Sequence, residues 1–391
     1  MSRPPRFLFV DHTAVLGGAE LSLLDIAIAF RDRGAVALFE DGPFAAALVA
    51  NGVAVIPVAA GGALTSVKKS SVVPRPSALV ATARAVLALA RIARGYDRLY
   101  ANSPKSFLVS AVAGLLARRP VIWHLRDILD PQHFSASNIR VVVTAANMRA
   151  ARVVANSHAT ADAFVAAGGR RDFVRVVHNG IDAGVFDAVE PGARADVRRE
   201  LGIADDVFLV GSFSRLHPWK GQRVLLDALR LLPDVQAIIV GGALFSGEHA
   251  FEAELRTTAS GAGLVGRVYL LGARGDVPRL MAACDVVAHT SILPEPFGRV
   301  LVEALLAQRP LVATDTGGVR EVVADGVSAL LVPPGDVAAL AAAIRAVRDD
   351  RARSATLAAA GSADVRQRFS LDAMLAGVTR VIADVLRGAR S

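Results

Sequence analysis

The sequence predicts an α/β protein of two doubly wound, Rossmann-like domains facing across a cleft, and three observations predict it. Strand-like apolar runs alternate with helical patterns along all 391 residues, the signature of parallel sheets covered by helices. Each half opens with the same unit of strand, glycine-bearing loop and helix. Phe7-Leu8-Phe9-Val10 leads into a loop ending Gly17-Gly18-Ala19-Glu20 and a helical stretch from Leu21 to Phe30; Val207-Phe208-Leu209-Val210-Gly211 leads into Ser212 to Gly221 and a helical stretch from Val224 to Leu231. The pattern breaks between Gly180 and Arg199, where Asn179-Gly180-Ile181-Asp182, Pro191-Gly192 and a polar run intervene, so the first domain is expected to end near 185 and the second to begin near 186. Such sheets bind ligands outside the C-terminal ends of their strands, and two of them presenting those ends to each other enclose a cleft.

Composition narrows the class. A hydrophobic content of 53% with 5% aromatics fits an Ala- and Val-rich globular protein with ample core. Apolar runs such as Phe107 to Ala117 fall short of the roughly 20 residues that span a bilayer, so no transmembrane segment is expected. The opening Met1-Ser2-Arg3-Pro4-Pro5-Arg6 reaches Asp11 too soon for a signal peptide. The single cysteine, Cys284, cannot form an internal disulfide, which points to a reducing cytoplasm, and it reads as a small buried residue.

Charge is uneven. Residues 1–185 hold 21 Lys+Arg against 12 Asp+Glu, and residues 186–391 hold 23 against 24, so the whole net charge of +8 comes from the first half. The excess gathers at Lys68, Lys69, Arg75, Arg84, Arg91, Arg94 and Arg98. Arg84, Arg91 and Arg98 are expected on one helical face opposite Val80, Leu87 and Ala90. That face reads either as solvated or as attracted to anionic headgroups or a phosphate-bearing acceptor. No aromatic platform or nucleic-acid module accompanies it, so nucleic acid is not an expected partner.

Three segments carry candidate chemistry. Gly17-Gly18 does not fit the dinucleotide fingerprint; the pair reads as a turn or as a place where backbone approaches a phosphate. Arg215 and Lys220 stand five apart between a strand and a helix start, where a diphosphate fits, although surface cations are often merely solvated. In Glu295-Pro296-Phe297-Gly298-Arg299-Val300-Leu301-Val302-Glu303, the apolar Val286-Val287-Ala288 precedes a turn at Pro296 and Gly298. Val300, Leu301, Ala304 and Leu305 then recur at helical spacing. Glu295 is therefore expected in a loop and Glu303 in the second helical turn. Amides from Phe297 to Val300 at that helix start suit phosphate, and carboxylates beside it suit hydroxyls.

Taken with Trp123-His124, Val154-Ala155-Asn156-Ser157, His178-Asn179-Gly180-Ile181-Asp182, Gly211-Ser212-Phe213-Ser214-Arg215 and Ala313-Thr314-Asp315-Thr316-Gly317-Gly318, these segments resemble the retaining family-4 glycosyltransferases of the GT-B fold, also termed glycosyl transferases group 1. The likeness runs over nearly the whole chain. It implies transfer of a sugar from a UDP- or GDP-sugar to a glycan, lipid-linked or small-molecule acceptor with retention of configuration. By the same likeness, Glu303 receives the ribose hydroxyls of the donor, and Glu295 holds hydroxyls of the transferred sugar beside the amides of Phe297 and Gly298. Arg215 and Lys220 meet the diphosphate, Gly17 and Gly18 approach the same phosphates, and His124 contacts the donor sugar near the anomeric carbon. Catalytic weight falls on His124, Arg215, Lys220 and Glu295; Arg299 and Val300 complete the donor-binding set.

The resemblance also implies that a C-terminal helix over 371–391 completes the first domain, leaving 186–370 as the nucleotide-sugar domain. No Asp-x-Asp occurs, so neither metal nor cofactor is expected, the cations and helix N-terminus acting at the diphosphate instead. Acceptor contacts are expected from Asp11, His12, Asn102, Lys105 and Arg126, within loops around Thr65 to Pro76, Asn102 to Lys105 and Arg126 to His133. The expected setting is the cytoplasm, with peripheral association at the inner membrane face. UDP-sugar 2-epimerases share this fold and stand as the alternative.

Overall fold

The structure, a computed structural model, describes residues 4–58 and 76–388. Met1 to Arg3, Lys68, Lys69, Arg75 and the expected acceptor loop from Thr65 up to Pro76 lie outside the described residues. The chain divides into two units, Met1–Gly180 with Asp372–Ser391, and Ile181–Leu371.

In the first unit, the apolar run at Phe7 forms β1 (Phe7–Asp11), buried along its whole length as a strand covered on both faces must be. It belongs to a parallel sheet with β2 (Gly34–Leu38), β3 (Ala54–Pro57), β4 (Arg98–Ala101), β5 (Val121–Leu125), β6 (Ala150–Ala155) and β7 (Val174–Val176), in the order β3-β2-β1-β4-β5-β6-β7. The crossovers are α1 (Gly18–Ala29), α2 (Pro43–Ala50), α3 (Pro76–Ala93), α4 (Pro104–Ala117), α5 (Ala136–Arg149) and α6 (His158–Ala166). The Ser103 and Ser157 hydroxyls cap α4 and α6 by accepting the amides of Ser106 and Thr160. Trp123 on β5 is fully buried, stacked on Phe107 of α4 at 4.6 Å and edge-on to Phe164 of α6 at 6.1 Å.

The expected basic face needs correcting. Arg98 opens β4 and is not helical. On α3, Val80 and Leu87 share the exposed face of Arg84 and Arg91, while Ala81, Ala85, Leu89, Ala90 and Ala93 face the core. The physical reason is the helical repeat: positions 80, 84, 87 and 91 differ by three or four, so they stack on one side.

The second unit contains α7 (Gly184–Asp187), α8 (Ala193–Leu201), β8 (Phe208–Phe213), α9 (Gln222–Arg230), β9 (Val235–Val240), α10 (His249–Ala259), β10 (Val268–Gly272), α11 (Val277–Ala283) and β11 (Val286–His289). It continues through α12 (Arg299–Leu306), β12 (Leu311–Thr314), α13 (Val319–Val322), β13 (Leu330–Val332), α14 (Val337–Asp349) and α15 (Arg351–Arg368). The parallel order is β10-β9-β8-β11-β12-β13, so strand order reverses between β8 and β11. Under β8 and β11, Arg198 is fully buried. It pairs with Asp285 at 2.8 Å and donates to the carbonyls of Ala204, Val207 and Ala283, which satisfies a charge that could not otherwise stay inside.

The last helix, α16 (Leu371–Gly388), lies in the first unit apart from its first residue. There the Met374 sulfur receives the Ser22 hydroxyl and the Gly180 amide. Cys284 is buried, as expected from its type. Among the described residues no helix is long and apolar enough to cross a membrane.

Candidate active site

In the second unit the loops leaving β8 and β11 sit side by side because those strands are neighbours, the place where an open α/β sheet takes its ligand. Two glycines allow the backbones to touch. Gly221, at φ +69°, lies against Thr290, whose hydroxyl donates to the Lys220 carbonyl at 2.9 Å; the Ile292 amide donates to the Trp219 carbonyl at 2.8 Å. Gly317, at φ +59°, packs on the backbone of Glu295, whose carbonyl accepts the Gly318 amide at 2.7 Å. The chain thus brings Lys220 to Glu295 from 75 residues away.

The Lys220 ammonium sits 2.7 Å from Glu295 Oε2 and 4.0 Å from the centre of the Trp219 ring. Burial pulls Lys220 below its ordinary value and Arg215 adds to this, while the Glu295 carboxylate opposes it. Burial would raise Glu295, but the Lys220 charge and hydrogen bonds from His289 and Lys220 hold it well below the usual carboxylate range. Ser291 Oγ donates to the same oxygen at 2.8 Å and His289 Nε2 lies 3.2 Å away. Arg215 stands nearer solvent, its Nη1 3.3 Å from Glu248 Oε1, with its guanidinium 5.9 Å from the Trp219 ring. Gln222 fixes that loop by donating to the Ser214 hydroxyl and the Arg215 carbonyl, both at 2.9 Å.

Gly298 is the N-cap of α12; Arg299 and Val300 form its first turn, and Glu303 lies in the second. Arg299 Nε is 3.5 Å from Glu303 Oε1, both side chains being partly exposed. Phe297 turns its ring inward, edge-on to Phe369 at 5.4 Å, which leaves only its backbone for a ligand. His289, Ser291, Trp219 and Glu248 complete the cluster. Of these only Trp219 lies within a segment that the sequence marks, the loop between Arg215 and Lys220. A polar run His289-Thr290-Ser291 closing an apolar strand was the signal for the first two; Glu248 left none, because its link to Arg215 spans 33 residues.

The first unit holds a separate polar cluster at its own reversal of strand order, where β1 pairs with β2 on one side and β4 on the other. Asp11 Oδ2 accepts Asn102 Nδ2 at 2.6 Å, and Asn102 Oδ1 accepts Arg126 Nε at 2.6 Å. Arg126 Nη1 donates to Ser22 Oγ and Asn179 Oδ1 at 2.9 and 2.8 Å. Asp11, Asn102 and Arg126 are all buried, whereas His12, beside Asp11, is partly exposed. Lys105 occupies the first turn of α4 and is partly exposed. Gly17 is the N-cap of α1, its amide donating to Glu20 Oε2 at 3.1 Å, and Gly18 next to it is exposed.

His124 is fully buried on β5, and Tyr100 Oη and Arg126 Nη2 lie 2.7 and 3.1 Å from its Nδ1. A guanidinium only donates, so Nδ1 is the unprotonated nitrogen and Nε2 carries the hydrogen. Burial, then the Arg126 charge, holds His124 well below the usual histidine range, so the ring is neutral. Its Nε2 has no hydrogen-bond partner among the described residues.

Glu20 behaves oppositely: burial and then the Asp11 charge raise its carboxyl to about 8. A folded-state value above the unfolded one means that the native state binds the extra proton, so the Glu20 contribution to stability falls as pH rises from about 4.5 to about 8. Glu20→Gln removes that loss. The urea midpoint of the variant, relative to the parent protein, is expected to rise between pH 5 and pH 8; an unchanged difference would show that Glu20 ionises normally.

The chain as a whole is similar to known proteins. The profile for glycosyl transferases group 1 covers residues 193–364, and that for the glycosyl transferase 4-like domain covers residues 17–180. The crystal structure of HepE from Anabaena in complex with UDP-glucose is 42% identical, covers 97% of this chain and 100% of its own, and superposes with a TM-score of 0.89. D-inositol 3-phosphate glycosyltransferase of Mycolicibacterium vanbaalenii is 37% identical over 224 residues, 54% of this chain and 48% of its own length. The lipopolysaccharide core biosynthesis mannosyltransferase LpsB of Rhizobium meliloti is 31% identical over 219 residues, 54% of this chain and 61% of its own. The chain spans about half the length of the first of these curated relatives. The lipopolysaccharide glycosyltransferase WaaG, 18% identical with a TM-score of 0.71, shares the fold. With both halves matched in order, and a full-length relative alike in sequence and structure, the chain belongs to the glycosyl transferases group 1, the family-4 glycosyltransferases of the GT-B fold.

Proposed function

We propose that this protein transfers a sugar from a UDP-sugar, with UDP-glucose as the first candidate, to a hydroxyl of a sugar or glycan acceptor, retaining anomeric configuration and needing no metal ion or cofactor. The observation that carries the reading is the Lys220–Glu295 pair beside Arg215 at the reversal point of the second sheet. The HepE complex with UDP-glucose supports the choice of donor. As the glycosidic bond breaks, negative charge collects on the departing diphosphate. Lys220 and Arg215, with the start of α12, are fixed cationic and dipolar groups suited to that charge, so the leaving group is stabilised without a divalent ion. Lys220 exchanges part of its contact with Glu295 for the diphosphate, and Glu295, still held by His289 and Ser291, accepts sugar hydroxyls. Glu303 accepts the ribose hydroxyls, and Arg299 restrains it.

Neutral His124 acts only as a hydrogen-bond donor through Nε2 and moves no proton. Retention then requires the acceptor to attack on the leaving-group side, its proton passing to the diphosphate oxygen. The test is incubation with UDP-glucose and sugar acceptors in deuterated water containing EDTA, followed by NMR. Transfer with an α-anomeric product and no deuterium in the sugar supports the proposal. Activity that EDTA abolishes and magnesium restores overturns metal independence, a β-linked product overturns retention, and deuterium at C2 without transfer overturns transferase chemistry in favour of epimerisation.

A further inference from the structure

The helices α3, α4 and α5 pack side by side on one face of the first sheet, α4 in the middle. Their inner faces supply core residues such as Leu89, Phe107 and Val142, and their outer faces are unusual in two respects. Large apolar side chains stand about half exposed or more: Val80 and Leu87 on α3, Val112, Leu115 and Leu116 on α4, and Met148 on α5, at 48% to 71%. None of the three helices contains an Asp or Glu, whereas Arg84, Arg91, Arg140 and Arg149 lie exposed on α3 and α5, and Arg94 and Arg118 follow α3 and α4. The middle helix thus presents an apolar stripe and its two neighbours present arginines. Apolar residues scattered singly over a surface need no explanation, but a concentration on adjacent helices that lack any acid does.

From this pattern we infer that the outer layer of α3, α4 and α5 docks on an anionic lipid bilayer. The two components of the surface ask for the two layers of a membrane. Guanidinium groups meet phosphate headgroups while their stems lie along the surface, and Val112, Leu115 and Leu116 enter the boundary between headgroups and acyl chains. A soluble polyanion would satisfy the arginines and give the apolar stripe nothing. The docking is peripheral, and it is independent of the donor chemistry assigned to the second unit.

Co-sedimentation with vesicles tests it. The full chain is mixed with vesicles of phosphatidylcholine alone or with about 30% phosphatidylglycerol, at about 0.1 M and 0.5 M salt, where screening shortens from roughly 10 Å to a few ångströms. The partition coefficient is expected to be at least about tenfold higher on the anionic vesicles and to fall with salt. Arg84→Glu with Arg91→Glu is expected to lower it about tenfold or more. Leu115→Ser with Leu116→Ser is expected to lower it several-fold at unchanged charge, and an unchanged far-UV circular dichroism spectrum and urea midpoint in both variants show that they remain folded. Equal partition on neutral and anionic vesicles overturns the inference. So does partition that neither double variant changes, and so does binding to heparin that matches the vesicles and ignores the leucine changes, which identifies a surface for a soluble polyanion.

Discussion

Lys220→Ala is expected to reduce turnover of a UDP-sugar more than tenfold, towards the roughly 10²–10³-fold loss that follows removal of one fixed donor to a developing oxyanion. The Lys220 side chain is 14% exposed, with Nζ 2.7 Å from a carboxylate and 4.0 Å from an indole ring, so its position is set before any donor arrives. Truncation removes the charge aimed at the diphosphate and leaves Glu295 with a buried negative charge supported, among the described residues, by His289 and Ser291. Breaking a buried ion pair from one side typically costs about 3–5 kcal/mol; because the two hydrogen bonds remain, a loss near the lower end is expected. The two consequences separate in a double variant. Lys220→Met with Glu295→Gln removes both charges and should recover most of the stability lost in Lys220→Met, with no recovery of turnover. Steady-state release of UDP and urea denaturation read the two effects. An unchanged kcat in Lys220→Ala would remove Lys220 from the diphosphate role.

Gly221→Ala is expected to destabilise the protein by about 3 kcal/mol or more and to weaken UDP binding at the same time. Gly221 adopts φ +69°, and an added Cβ would stand 1.8 Å from the carbonyl oxygen of Thr290. That oxygen belongs to backbone, and the hydrogen bonds Thr290 Oγ1 to Lys220 O and Ile292 N to Trp219 O tie the same two segments together, so neither can retreat alone. Separation of the loops would withdraw Lys220 from Glu295. Gly202 supplies the control: it has a similar φ of +68° at the end of α8 but nothing within 4 Å of the added carbon. Gly202→Ala should therefore show only the backbone cost of roughly 1–2 kcal/mol and leave UDP binding intact. Equal losses in the two variants by urea denaturation would mean that the contact with Thr290 contributes nothing.

The difference between local and distant information runs through the whole chain. Amphipathic spacing and punctuation by Gly and Pro depend on neighbours within a few residues, so strands, helices and their alternation could be read directly. Glu295 in a loop and Glu303 in the second turn of a helix followed from the same spacing. Arg98 departs from the helical spacing of Arg84 and Arg91 because α3 ends at Ala93, before Gly95, and β4 begins at Arg98; Val80 and Leu87 join the arginines because residues three and four apart share a helical face.

The sequence by itself determined the α/β class, the glycine-bearing loop that opens each half, a buried Cys284 and the uneven placement of charge. Tertiary structure decided which of those loops meet. Lys220 reaches Glu295, and Arg215 reaches Glu248, because β8 lies between β9 and β11; strand order is a property of the sheet that spacing along the chain does not encode. It also decided that Arg198, one arginine in a polar helix by sequence, is fully enclosed by carbonyls and Asp285, and that Val80 and Leu87 stand outside among arginines. Burial depends on what packs from elsewhere in the chain, whereas periodicity records only which side of its own element a residue occupies.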